Sequence, residues 1–219
     1  DKAASLKGLI FPLLLVVCVL GSILSGFTSV SEAAAVGAFG SIVATVAKRG
    51  FQWSMFREAA EKTLLVSCLI FWIIIGAGAF STLYTAMGAS SLVKGAVLGL
   101  DVDRYVILAV MQALLILLGM VIDTVGIMMI TVPVFVPIIV ALGFDPTWFG
   151  VLFIINMEIG FLTPPFGYNL FYLKGVAPPG VTMWDIYRSI VPFVILMVIG
   201  LGICIAVPDI ILYLPNLLF

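Results

Sequence analysis

Seven apolar stretches dominate this 219-residue chain: 9–24, 33–47, 64–84, 105–122, 127–142, 149–172 and 189–207. A hydrocarbon core about 30 Å thick takes about 20 residues of helix to cross. Inside lipid the backbone must satisfy its own polar groups, and irregular backbone survives only where protein or a water-filled cavity covers it. The reading is therefore an all-α, polytopic membrane protein. Several stretches fall short of a full span and several contain helix breakers, so the interruptions say more than the runs. Composition supports the class: 63% of residues are apolar and 10% charged, against about 25% charged in soluble domains. These values exclude a soluble enzyme, a disordered chain and a nucleic-acid binder. There is no histidine, which removes Zn-hydrolase sites, axial haem histidines and the Ser-His-Asp triad. Cys18, Cys68 and Cys204 lie far apart inside apolar runs and read as packing residues rather than a disulfide or metal set. The chain opens on Asp1, and is expected to be a fragment or a processed piece.

The links between runs sort by charge. If the N-terminus is cytoplasmic, Lys2, Lys7, Lys48, Arg49, Arg57, Lys62, Lys174 and Arg188 all fall on the cytoplasmic side, and Lys94 and Arg104 do not. That asymmetry follows the positive-inside rule. Trp53 and Trp184 then lie at the inner interface, Trp148 lies at the outer one, and 209–219 ends outside. Segment 51–63 sets Phe51, Trp53 and Phe56 against Arg57, Glu58, Glu61 and Lys62, the pattern of a short interfacial amphipathic helix. A second interfacial piece is expected over 90–100.

The stretch 105–142 fits either two full spans or a hairpin dipping in from outside, and the charge count does not separate them. Its turn, Asp123-Thr124-Val125-Gly126, carries an acid and no Lys or Arg, which favours a re-entrant hairpin with its tip near mid-membrane. An intramembrane acid is a candidate functional group. Asp123 has two compatible roles, as a Na⁺ ligand or as the cap of a helix beginning near Thr124. Pro133 and Pro137 are expected to bend the second arm.

The sharpest motif begins at Asn156 and passes through Gly160 and Thr163-Pro164-Pro165 to Gly167 and Asn169. Proline has no N–H and drives the preceding residue out of the α region. The first helix should end near Phe161, with Thr163 as N-cap and Pro164 as first residue of a second half-helix. A helix broken at mid-membrane frees carbonyls at one end and N–H groups at the other, which transporters use to hold cations and carboxylates. Asn156, Gly160 and Thr163 share one helical face. Glu158 lies about 200° from Asn156 and is expected to be a third buried acid, in a structural polar contact rather than in proton coupling. Ser29 and Glu32 fit a capping box, with a proton relay through Glu32 the lesser reading. Ala33, Gly37 and Ser41, and Gly40 with Ala44, form small-residue faces for close helix packing.

In this order, Gly26-Phe-Thr-Ser-Val-Ser-Glu-Ala-Ala-Ala35, Leu118-Gly-Met-Val-Ile-Asp123, Ile130-Thr-Val-Pro-Val-Phe-Val-Pro137, Leu142-Gly-Phe-Asp-Pro146, the Gly160–Phe171 break and Leu214-Pro215 resemble the C-terminal half of the large membrane subunit of TRAP (tripartite ATP-independent periplasmic) transporters. The resemblance implies an ion-transporter-superfamily elevator fold of the bacterial inner membrane. It implies one inverted repeat, with scaffold and arm helices over 1–104, a transport segment over 105–175 (hairpin 105–142, broken helix 147–175) and a C-terminal helix within 176–219. It implies Na⁺-driven uptake of an organic acid delivered by a periplasmic binding protein, with a small four-helix membrane subunit and no other cofactor. By the same resemblance, the tip around Gly119 and Asp123, Thr124 and Gly126 faces Thr163, Pro164, Pro165 and Gly167. Backbone oxygens there, with Gly119, Asp123 and the Thr163 hydroxyl, would hold Na⁺, and Asn169 would touch substrate or support the site. Only one of the family's two repeats is present. The chain is thus expected to need the missing N-terminal half and not to transport alone. The alternatives are a binding-protein-independent Na⁺/dicarboxylate symporter or antiporter, or a non-transporting structural subunit. An intramembrane enzyme fits poorly, because Glu32, Asp123 and Glu158 lie on separate segments.

Overall fold

The computed structural model describes residues 2–165, 167–178 and 180–218. Every regular element among them is a helix: α1 (Lys2–Leu24), α2 (Val30–Arg49), α3 (Trp53–Ala86), α4 (Ala89–Leu98), α5 (Arg104–Gly119), α6 (Thr124–Ala141), α7 (Pro146–Phe161), α8 (Tyr168–Val176), α9 (Met183–Ala206) and α10 (Asp209–Leu218). Four of these helices are long and apolar enough to cross a membrane: α2 over Val30–Lys48, α3, α6 and α9.

Side-chain caps mark five of the ten helix starts described, α2, α5, α6, α7 and α9. Ser29 and Glu32 form the expected box. The Glu32 N–H donates to Ser29 Oγ at 3.3 Å, and the Ser29 N–H donates to Glu32 Oε2 at 2.7 Å. Thr182 and Asp185 repeat the arrangement at α9. Asp103 caps α5, and Asp145 caps α7 ahead of Pro146. A helix start leaves its first N–H groups without intrahelical partners. Where no water reaches them, a side-chain oxygen is the remaining acceptor.

Two expectations about element boundaries are corrected. Segment 51–63 is not a separate helix; from Trp53 onward it forms the first turns of the 34-residue α3. No Pro or Gly separates it from the apolar run. The ion pairs Arg57–Glu61 (2.8 Å) and Lys62–Glu58 (2.6 Å), each one turn apart, favour continuation. Segment 176–219 holds two helices rather than one, because Val207-Pro208 interrupts the run and α10 starts afresh at Asp209. The piece expected over 90–100 overlaps the short helix α4, Ala89–Leu98.

The chain divides into two compact units, 1–67 and 68–219. In the first, α2 lies close on α1. Ala33 is fully buried. A Cβ on Gly37 would meet Val19 at 3.3 Å, and one on Gly40 would meet Leu15 at 3.0 Å. The predicted small-residue faces thus do bring two backbones together. Ser41 instead turns its hydroxyl back to the Ala38 carbonyl at 2.7 Å.

The second unit is organised around α5 and α7. Leu108, Met111 and Leu115 of α5 interlock with Trp148, Leu152 and Met157 of α7, and Ile127, Ile138 and Ile139 of α6 complete the core. Between apolar helices in lipid, close dispersion contact supplies the attraction, since lipid tails are as apolar as leucine. Three contacts fix the direction. The Arg104 guanidinium lies over the Phe144 ring at 5.1 Å. Farther along, Asn156 bonds Gln112, and at the far ends Gly160 touches Gly119. The two helices therefore run side by side in the same direction. α9 runs against α7, with Trp148 Nε1 donating to the Cys204 carbonyl at 3.0 Å. All three cysteines are free.

Candidate functional site

α5 and α6 form a hairpin whose tip is the four-residue link 120–123. The tip is built by Asp123. Its Oδ1 accepts from the N–H groups of Val125 (2.8 Å) and Gly126 (3.3 Å), so the carboxylate fills the start of α6. The capping role is thus realised. Thr124 follows as the first residue of α6, and its buried hydroxyl has no hydrogen-bond partner among the described residues. Asp123→Ala is expected to destabilise the assembled permease by about 1–2 kcal/mol, the cost of a lost cap. Asp123→Asn, which keeps an oxygen acceptor, should recover most of it; thermal unfolding of the purified complex checks both.

Gly119 ends α5 against Gly160, near the end of α7. A Cβ built on Gly160 would lie 2.7 Å from both the Cα and the carbonyl carbon of Gly119 and 3.0 Å from its oxygen. Real side chains do not approach backbone this closely, so position 160 requires glycine; a Cβ on Gly119 would meet the Gly160 Cα at 3.2 Å, a tight contact that favours glycine there too. Because α5 and α7 are parallel, this contact sets two helix C-termini together. Each carries the negative end of a helix dipole and its last carbonyls. No backbone N–H among the described residues bonds the Gly119 carbonyl. The arrangement attracts a cation and repels an anion.

The break after α7 differs in detail from expectation. α7 ends at Phe161, as the prolines require, but Thr163 does not cap a second helix. Its N–H donates to the Gly160 carbonyl at 3.0 Å, and its hydroxyl donates to the Ile159 carbonyl at 2.6 Å. Thr163 therefore closes α7, and Pro164 does not begin α8. The hydroxyl gives its only proton to that carbonyl and keeps its lone pairs for another partner. Pro164 and Pro165 are exposed and joined by a cis bond; Phe166, within the predicted break, lies outside the described residues. α8 begins at Tyr168, and Gly167, with φ +52°, stands at its N-cap position. A Cβ on Gly167 would lie 2.8 Å from Leu170. No side chain among the described residues caps α8. Asn169, in its first turn, is partly buried.

The candidates thus separate into groups. Gly119, Asn156 and Gly160 meet directly. Thr163, Pro164, Pro165, Gly167 and Asn169 follow on the break and the start of α8. Gly126 faces elsewhere: a Cβ there would meet Ile122, Asp123 and Ile73 of α3. Asn156 is fully buried, and its amide is engaged by Gln112 and by the Leu152 carbonyl. Gln112 was not among the expected residues, although it is the lone amide in an otherwise apolar stretch and sits two turns before Gly119. Glu158 is exposed, not buried. It shares a face of α7 with exposed Ile154, on the side away from α5.

A helical hairpin whose first arm lies parallel to a broken helix, in a chain with four helices long and apolar enough to cross a membrane, defines the class as an integral membrane protein. The chain belongs to the family described as "Tripartite ATP-independent periplasmic transporter, DctM component", whose pattern matches residues 2–210. It is 31% identical to the C4-dicarboxylate TRAP transporter large permease protein DctM of Pseudomonas aeruginosa, over 97% of this chain and 50% of that protein. It is 34% identical to the 2,3-diketo-L-gulonate TRAP transporter large permease protein YiaN of Escherichia coli, over 93% of this chain and 48% of that protein. It is 28% identical to the sialic acid TRAP transporter large permease protein SiaM of Vibrio cholerae, over 99% and 51%. The chain therefore spans about half the length of these relatives, which are permeases and not enzymes by name.

Proposed function

We propose that this chain forms about half of the large permease subunit of a bacterial inner-membrane transporter, and that the complete protein takes up an organic acid by Na⁺-coupled secondary transport. The observation that carries the reading is the backbone contact of Gly119 with Gly160, which sets two helix C-termini together beside Thr163. A monovalent cation suits that position: carbonyl oxygens and one hydroxyl supply ligands without a full charge. On this reading 105–142 is a re-entrant hairpin, and the N-terminus of the chain is cytoplasmic. The uncapped start of α8, with Gly167 and Asn169, is suited to a carboxylate, because first-turn N–H groups and the positive dipole end face it. The substrates named for the three relatives share that group. Delivery by a periplasmic binding protein, bracing by a small four-helix membrane subunit and elevator movement belong to the same reading.

The test is uptake into proteoliposomes by the complete permease with its small subunit and binding protein. Uptake should require all three proteins and an inward Na⁺ gradient. Transport without the binding protein would point instead to a binding-protein-independent symporter, and transport indifferent to Na⁺ would remove the coupling.

A further inference from the structure

Two amides are buried where α5 crosses α7. Gln112 is 3% exposed and Asn156 0%, with Leu108, Met111, Leu115, Leu152 and Phe153 around them in the apolar core. Asn156 Nδ2 donates to Gln112 Oε1 and to its own helix at the Leu152 carbonyl, 2.9 Å away. The atoms left over, Gln112 Nε2 and Asn156 Oδ1, are one donor and one acceptor. They are complementary, so the two groups can satisfy each other as a reciprocal amide pair. Apolar side chains would fill this space without any such requirement. Leucine contacts tolerate a slide of one helix along another, whereas a directional bond between two buried amides permits one register.

We propose that Gln112 and Asn156 are positioning residues that set the register of the hairpin's first arm on α7, and with it the placement of the Gly119 carbonyl at the ion site. Gln112 lies two turns before Gly119, and Asn156 lies one turn before Gly160, on the contact faces of both helices. A slip at the pair therefore moves the tip. Among the described residues the other arm, α6, makes no side-chain hydrogen bond to a neighbouring helix; its buried Thr131 hydroxyl donates to its own Ile127 carbonyl at 2.8 Å. The inference rests on the ion-site reading for its functional consequence, but not for its structural one.

The test uses the complete permease, with its cysteines replaced by serine and spin labels at exposed Val121 and Ile154. The double variant Gln112→Leu/Asn156→Leu removes both amides at once and leaves no buried group unpaired, so it should fold. The pair should hold the label-to-label distance to one narrow distribution, and the double variant should broaden or shift it. The activation constant for Na⁺ should then rise about tenfold, as expected for one lost contact to a charge. The exchanged pair Gln112→Asn/Asn156→Gln keeps two facing amides and should restore the narrow distribution. An unchanged distribution in the double variant overturns the proposal. A shifted distribution with no Na⁺ dependence in any protein upholds the register role and removes the ion-site reading instead.

Discussion

Gly160→Ala is expected to reduce uptake by on the order of 100-fold, the scale on which a 1 Å displacement disables a positioned site. A single methyl would have to occupy a point 2.7 Å from Gly119 backbone atoms. Backbone at the end of a helix cannot rotate aside as a side chain can, so the hairpin tip must lift from α7. Overpacking of this kind costs about 1–3 kcal/mol, so the variant should still assemble. The parallel helices would remain, but their C-termini would no longer share one space. Gly202→Ala in α9 is the matched control, because a Cβ there meets nothing within 4 Å. It should leave uptake unchanged. Substrate uptake and thermal unfolding of both variants decide the point: equal activity of Gly160→Ala and Gly202→Ala would mean that the glycine contact is incidental.

Thr163→Val separates the hydroxyl from the backbone. The two side chains have nearly the same shape, and the Ile159 carbonyl keeps a bond from the Leu162 N–H at 3.2 Å when the hydroxyl is removed. Stability should change by less than about 1 kcal/mol. If the hydroxyl oxygen is an ion ligand, its loss should raise the Na⁺ concentration for half-maximal uptake about tenfold, with a smaller effect on the maximal rate at saturating Na⁺. Thr163→Ser should restore the wild-type value. A change in maximal rate with no change in Na⁺ dependence would assign Thr163 to the shape of the break alone.

Local rules made much of this arrangement readable. The end of α7 at Phe161 follows from Thr163-Pro164-Pro165, and the start of α6 follows from an acid ahead of Thr124. The Ser29–Glu32 box is a four-residue pattern with one geometry. What local rules missed depends on distant partners. Asn156 was legible as a polar residue on a contact face, but its partner Gln112 is 44 positions away. Thr163 had two local options, to cap a following helix or to close the preceding one. The choice went to the Ile159 and Gly160 carbonyls, and α8 waited for Gly167, whose positive φ suits the turn into it. Glu158 does lie off the Asn156 face, yet it is exposed, because a position inside an apolar run fixes membrane depth and not burial against a neighbouring helix. The 51–63 segment carried an interfacial pattern, yet nothing in it stops a helix, so α3 runs through.

The claim on which the rest depends is that the converging ends of α5 and α7, at Gly119 and Gly160, hold the coupling ion. Binding of radiolabelled Na⁺ to the purified complete permease, without substrate or binding protein, measures it most directly. Saturable binding is expected for the wild type and its loss for Gly160→Ala, with Gly202→Ala retaining it. Equal Na⁺ binding by Gly160→Ala and the wild type would contradict it.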